Sequence, residues 1–459
     1  MFILPQEYHN EYIKGMETYL HDLLYSFQSE GRRIDWLRLI ETVCYNAENL
    51  ARQSIVSYLE KLDRDFKESE ARKRQYYVKD YLQRTLITMF GEISYYRTVY
   101  TDKDTNERYI YVDRKLHIDP YIRYTDDVRA YAYEAYSDEN SMIKVGKELG
   151  NLIHSKFALN RNDDHSISRQ TIYNFLNIKP AHYVSKTKRK RKRIFLLLDE
   201  KFIGCQDKDS KIMSKVCMIY EEVKRKGNRN ILLGKTFFSS ADEYFHYDLL
   251  TYLDEIYELD CLEEMYCMGD GGKWIKEAFR QLKIPGCTQF VCLDRFHAYR
   301  ALYDLCKEYT PYSIALYYIS RKDQDSFKKA IRHFVRSDKD KDNYRYLINN
   351  FNEICNMYYA LGPCAMEQCI SYHVMSQFTS VAKAYSSKNI ERYLHMRDNY
   401  RNGINMKKLY IEAKDDERKD KPITYINSFQ LDLSIFETKA DIPYYDTSNI
   451  RGKLRFLPI

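Results

Sequence analysis

The chain has 459 residues, a net charge of +7, 30% charged and 44% hydrophobic residues. That composition excludes a disordered chain, allows about two to four structural units, and leaves the choice of partner to where basic residues cluster. Eleven Cys with no Cys-x-x-Cys pair exclude a zinc knuckle and suit a reducing cytoplasm, and with no run of about 18 apolar residues nothing is expected to span a membrane.

Residues 1–83 read as a charged, helical N-terminal region, with Leu20, Leu23, Leu24 and Phe27 at helical spacing. The period then changes. Thr85–Phe90 and Ile93–Tyr100 flank Gly91 and predict a small β unit over 84–125 with a turn at Gly91. Residues 126–185 return to helix. One helix is predicted over Glu139–Leu149 with Gly150 as its C-cap, and a second over Ser166–Leu176 capped by Ser168. In a helix-turn-helix reading Arg169, Gln170, Tyr173 and Asn174 face a DNA groove. Two packed helices with no DNA contact account for the same pattern.

A basic run follows, with Lys186, Lys188, Arg189, Lys190, Arg191, Lys192 and Arg193. Such runs are usually solvated linkers. This one leads into the apolar strand Ile194–Leu198, which ends at Asp199, so it is read as a phosphate-contacting strip beside a carboxylate. Strand-like runs at 216–220 and 230–238, a helix over 241–259, a strand ending at Asp270, a helix over 273–282 and a strand ending at Asp294 complete residues 186–300. This β-β-β-α-β-α-β order is that of a ribonuclease-H-like core. It sets the first and fourth strands side by side and brings Asp199 next to Asp270.

Residues 301–360 read as an all-α insertion. A core helix is expected over 361–385, on which Glu367 shares the apolar face of Ile370, Val374, Phe378 and Val381. Residues 386–459 form a polar C-terminal region. The expected fold class is therefore α+β: a ribonuclease-H-like core with an all-α insertion, preceded by a helical and β-hairpin region with a helix-turn-helix-like segment. Two strand-end carboxylates and one on a helix supply the hard oxygen ligands that Mg²⁺ or Mn²⁺ requires for phosphoryl transfer on nucleic acid.

The motif Gly269-Asp270-Gly271-Gly272-Lys273-Trp274-Ile275, followed by Leu293-Asp294-Arg295-Phe296-His297, resembles the ISLre-type transposases of bacterial insertion sequences, a group related to the Mutator-like transposases. The resemblance covers roughly residues 80–405. It implies that Asp199, Asp270 and Glu367 are an acidic triad holding the metal ions, and that Asp294 and His297 are the family's Asp-x-x-His. It further implies cleavage and strand transfer of double-stranded DNA by a homo-oligomer in the bacterial cytoplasm, at the nucleoid. A DNA-binding regulator with a retired site and a metal-dependent nuclease are the alternatives. Trp274 is read as core rather than as a base-stacking platform.

Overall fold

A computed structural model describes residues 36–139, 141–154, 165–178, 187–207, 211–227, 229–307, 309–359 and 385–420, with isolated positions at 14, 18, 21, 25 and 378. The chain divides into two units, with the boundary between Thr125 and Asp126.

In the first unit, α1 (Trp36–Glu68) ends where Ser69 accepts a hydrogen bond from the Arg72 amide at 3.2 Å and caps the short α2 (Glu70–Gln75). Strand β1 (Tyr76–Thr88) begins at once, inside the stretch expected to be helical. Tyr76, Tyr77, Val78 and Tyr81 are strand formers, and their preference outweighs the charge around them. Strand β2 (Gly91–Asp102) pairs antiparallel with β1, β3 (Arg108–Tyr109) extends the sheet, and α3 (Tyr111–Lys115) follows. The core joins Leu59 of α1 to Leu86, Ile93 and Tyr95 of the sheet and to Val112. Two buried carboxylates fix the sheet. Asp63 accepts from the Thr98 amide and hydroxyl, and Asp113 pairs with Arg97.

The second unit opens with α4 (Asp126–Glu139), α5 (Met142–Ile153) and α6 (Arg169–Phe175). Helix α5 runs straight through Gly150, so that glycine is not a C-cap. A Cβ on Gly146 would lie 2.2 Å from the Ile167 carbonyl oxygen, and one on Gly150 would lie 2.0 Å from that of His165. Both glycines are there to let the incoming backbone lie against the helix, and the Ile167 amide donates to the Gly146 carbonyl at 3.0 Å.

A five-stranded mixed sheet follows. Its strands are β4 (Arg193–Ile203), β5 (Ile212–Tyr220), β8 (Thr236–Ser240), β9 (Glu264–Gly269) and β10 (Thr288–Leu293), in the spatial order β10-β9-β4-β5-β8. β4, β9 and β10 are parallel, while β5 is antiparallel to both β4 and β8. The run expected as one third strand divides. Its first half, β7 (Arg229–Leu233), pairs with β6 (Glu222–Lys226) in a separate hairpin, and only its second half joins the main sheet as β8. Helices α7 (Phe245–Ile256) and α8 (Lys273–Gln281) pack on this sheet around Leu196, Leu198, Leu249, Leu253, Cys267 and Phe279.

After β10 the chain is helical: α9 (Arg295–Cys306), α10 (Tyr309–Ser320), α11 (Gln324–Arg332), α12 (Asp338–Asn349) and α13 (Phe351–Tyr359). Helix α13 returns to β10, where the Asn356 amide donates to the Val291 carbonyl at 2.9 Å. At the other edge lies α14 (Ser387–Arg401), and α15 (Met406–Asp420) follows it and packs on α4, where Arg418 donates to Asp126 at 2.7 Å. An exposed edge strand invites pairing with other chains. Here the outward amides of β8 and its end are taken by side chains on or just after α14. Phe237 N donates to Asn402 at 2.7 Å, Ser239 N to Asp398 at 2.6 Å and Ala241 N to Glu391 at 2.7 Å. No described helix is long and apolar enough to cross a membrane.

Candidate active site

Parallel pairing sets the site. In register, Leu197 of β4 faces Met268 of β9, and Gly269 of β9 faces Leu293 of β10. Asp199 and Asp270 each stand two residues past the first pair, and Asp294 stands one past Leu293. Three aspartates therefore share one level across three adjacent strands, with neighbouring strands about 4.8 Å apart. Strand β4 does not end at Asp199, as the sequence reading had it. It continues to Ile203 against β5 alone. Asp199 sits where one side of β4 loses its partner, and that opens the space beside it.

Burial pushes the Asp199 carboxyl up from its ordinary value of 3.8 to about 6. The Glu200 amide hydrogen bond opposes this, the charges of Asp270 and Glu200 add to it, and His297 counters it. Asp270 is held differently. Its carboxylate accepts from the Gly272 amide at 2.8 Å, and its carbonyl accepts from the Tyr346 hydroxyl at 2.7 Å. Gly271 turns there with φ +88°, where a Cβ would lie 2.9 Å from Leu293 and 3.1 Å from the Asn350 side-chain oxygen. Among the described residues no Lys or Arg forms an ion pair with Asp199 or Asp270. Hard carboxylate oxygens set side by side in this way suit a divalent cation.

The other expected site residues fall into three groups. Asp294 is buried and caps α9, accepting from the Phe296 amide at 3.2 Å. Its other oxygen lies 3.6 Å from His297 Nε2, and the His297 ring is half-exposed. Glu367 lies outside the described residues, as does most of its expected helix. Among the described residues no three His, Cys, Asp or Glu side chains assemble into a complete metal cage. Glu200, next to Asp199, accepts from Trp274 Nε1. Trp274 itself packs against the sheet core, edge-on to Phe245.

The basic strip is not beside the carboxylates. It enters β4 at the end opposite Asp199, so Arg193 and Asp199 are about 20 Å apart along the strand. Each of its described members is matched by an acid: Lys188 by Asp254, Arg189 and Arg191 by Glu221, Lys190 by Glu258, Lys192 by Glu263 and Arg193 by Glu264. Arg189, Arg191 and Arg193 also line a cleft of about 900 Å³ with Val223 and Leu233. On α6, Arg169, Gln170 and Asn174 are exposed. Tyr173 faces inward, and its hydroxyl accepts from Asn389 at 3.3 Å.

Sequence reasoning missed Tyr346 and Asn350. Both lie on or just after α12, and Tyr346 reads as one more apolar position of a helical stripe. Nothing local marks its contact with Asp270, which lies in a different layer of the fold. Burial, with the charges of Asp270 and Asp294, pushes the Tyr346 hydroxyl well above its usual range, so it stays a proton donor to the Asp270 carbonyl.

The raised Asp199 value has a measurable consequence. Its neutral form is favoured in the folded state, so that stabilisation is complete below about pH 4 and is lost as pH rises through about 6. Asp199→Asn mimics the neutral acid. In EDTA, the variant is expected to be more stable than the parent above pH 6 by about 1–2 kcal/mol after allowance for partial exposure. The gap should close below about pH 4. Thermal melts across that range test this, and a gap independent of pH would refute it.

A model of the uncharacterised protein family UPF0236 matches residues 32–415. One UPF0236 protein of Caldanaerobacter subterraneus subsp. tengcongensis is 26% identical over 67% of this chain, and its name joins eleven loci of that genome. The chain spans 65% of that relative's length. Another from the same organism is 24% identical over 79% of this chain and 77% of its own. Among solved structures, the Drosophila P element transposase strand transfer complex matches 68% of this chain and 84% of its own at 13% identity. Its TM-score of 0.22 is too low to establish a shared fold.

Proposed function

The chain belongs to the uncharacterised protein family UPF0236, and from that premise we propose that it is a DDE-type transposase that cuts the ends of an insertion sequence and joins them to new DNA. The observation that carries the reading is the level that Asp199 and Asp270 share, each two residues past the Leu197–Met268 pair of β4 and β9, with no Lys or Arg paired to either among the described residues. Two further observations support it. The order β10-β9-β4-β5-β8, with β4, β5 and β8 antiparallel in turn and β9 and β10 parallel to β4, matches the order expected of a ribonuclease-H-like core. A relative that recurs at eleven loci of one genome is what a mobile element leaves behind.

In this reading Asp199, Asp270 and Glu367 hold two Mg²⁺ or Mn²⁺ ions. When bound, the ions supply charge neutralisation at the phosphodiester and an activated water. The chain's own residues position. The Asp270 carboxylate is fixed by the Gly272 amide. His297, with Asp294 behind it, orients a phosphate oxygen. Water opens the phosphodiester at the element's end and frees a 3′-hydroxyl, which then attacks a target phosphodiester in line, forming the new P–O bond as the target's own 3′-oxygen leaves. No covalent protein intermediate is needed, so positioning carries the rate. Arg169 and Gln170 on α6 are assigned to duplex contact, and the protein acts as a homo-oligomer on DNA.

The test is cleavage of element-end DNA with Mg²⁺ or Mn²⁺ against an EDTA control. Cleavage is expected only with metal. His297→Ala should slow strand transfer by about 10²-fold, the lower range for a positioned catalytic side chain, and leave metal binding unchanged. Cleavage that persists in EDTA would overturn the reading.

A further inference from the structure

We propose that the β6–β7 hairpin is a DNA-contacting ribbon, taking the part that the sequence gives to the strip at 188–193. The inference rests on the transposase reading and names the surface that grips the duplex. Between Glu222 and Leu233 the hairpin carries Lys224, Arg225, Lys226 and Arg229 against one acid, Glu222. Lys224, Arg225 and Lys226 are exposed. None of these three forms an ion pair among the described residues, and Arg225 donates only to the Gly227 carbonyl at 3.3 Å. The strip has the opposite character, since each of its described cations is matched by an acid. Cations already neutralised by the protein release few counterions on meeting phosphate, whereas free ones supply the main term in duplex affinity.

Shape points the same way. The hairpin leaves the sheet after Tyr220 and returns at Thr236, and neither of its strands pairs with the main sheet. A two-stranded ribbon enters a major groove about 12 Å wide. Register sets Lys224 opposite Ile231, Lys226 stands two residues on along the same face, and Ile231 is exposed beside these cations. The ribbon starts at the end of β4 opposite Asp199. Asp199 pairs with Val216, and the path from there to Lys226 near the tip is at most about 33 Å at 3.3 Å per residue. That is roughly ten base-pair steps, so one duplex lying along β4 meets both the carboxylates and the ribbon.

The experiment measures binding of the full chain to a labelled duplex of arbitrary sequence by fluorescence anisotropy over a series of KCl concentrations. The combined change Lys224→Ala, Arg225→Ala and Lys226→Ala is expected to weaken binding at least about tenfold and to flatten the slope of log K against log salt by about 2–3. Lys224→Arg with Lys226→Arg should bind as the parent does, because charge is kept. Lys188→Ala, Lys190→Ala and Lys192→Ala together should leave the slope unchanged. If the parent binds duplex and the hairpin variant binds with the same slope, the hairpin assignment falls and the transposase reading stands. Should the parent bind no duplex at all, both fall together. A strip variant that loses the slope in the hairpin's place would return the contact to 188–193.

Discussion

Asp270→Asn is expected to abolish metal-dependent cleavage of element-end DNA while leaving duplex binding intact. The substitution removes one charge and almost no volume. Its local bonds survive: an Asn side-chain oxygen still accepts from the Gly272 amide, and Tyr346 donates to the Asp270 backbone carbonyl, which is unchanged. What is lost is half of the paired charge at the level of Asp199. A bound metal contributes several kcal/mol of charge stabilisation, which at 1.36 kcal/mol per decade corresponds to a loss of about 10³-fold or more. Glu200→Gln is the matched control. Glu200 adjoins Asp199, but its carboxylate is engaged by Trp274, so activity should stay within about tenfold of the parent, in line with loss of one hydrogen bond. Single-turnover cleavage with circular dichroism as a folding check decides the matter. Full activity in Asp270→Asn would remove these carboxylates from the chemistry.

The carboxylates were legible because each follows an uninterrupted apolar run. Ile194–Leu198 and the run before Asp270 are buried strands, and parallel pairing of the first and fourth strands brings their ends together without any further information. The position and pairing of the strip were not legible, for the converse reason. A run of cations reads as free charge until its partners are known, and Asp254, Glu258, Glu263 and Glu264 come from α7, the segment after it and the start of β9. Gly150 misled in the same way. After an apolar helical stretch a glycine reads as a cap, and only the passing backbone at His165 shows that it is a contact point. The division of the run at 230–238 was also hidden, since both halves have strand composition and only pairing assigns them to different sheets. Local signals report propensity and burial; they do not report which distant element answers a charge, a glycine or a free strand edge.

That limit is clearest at α14, within the region read as a polar tail, and it leads to the largest stability effect expected in the second unit. Asp398 is fully buried and accepts from both the Ser239 amide, at 2.6 Å, and the Ser239 hydroxyl, at 2.8 Å. It is the middle of three side chains that close the β8 edge, between Asn402 and Glu391. Asp398→Ala removes a charged acceptor from two buried donors and opens a gap between helix and sheet. Hydrogen bonds to charged groups contribute about 1.5–3 kcal/mol each, so a loss of about 3–5 kcal/mol is expected. Asp398→Asn keeps one acceptor and should cost about half as much. Because the chain has two units, denaturation should be followed by a probe in the second, such as fluorescence of Trp274, rather than by a single global midpoint. Exposing the amides of β8 also uncovers a strand edge, so the Ala variant should aggregate during refolding at concentrations where the parent stays clear. An Ala variant that unfolds at the parent's denaturant midpoint would show that α14 does not hold the edge. Preserved stability together with aggregation would instead show that Asp398 shields the edge without contributing net stability.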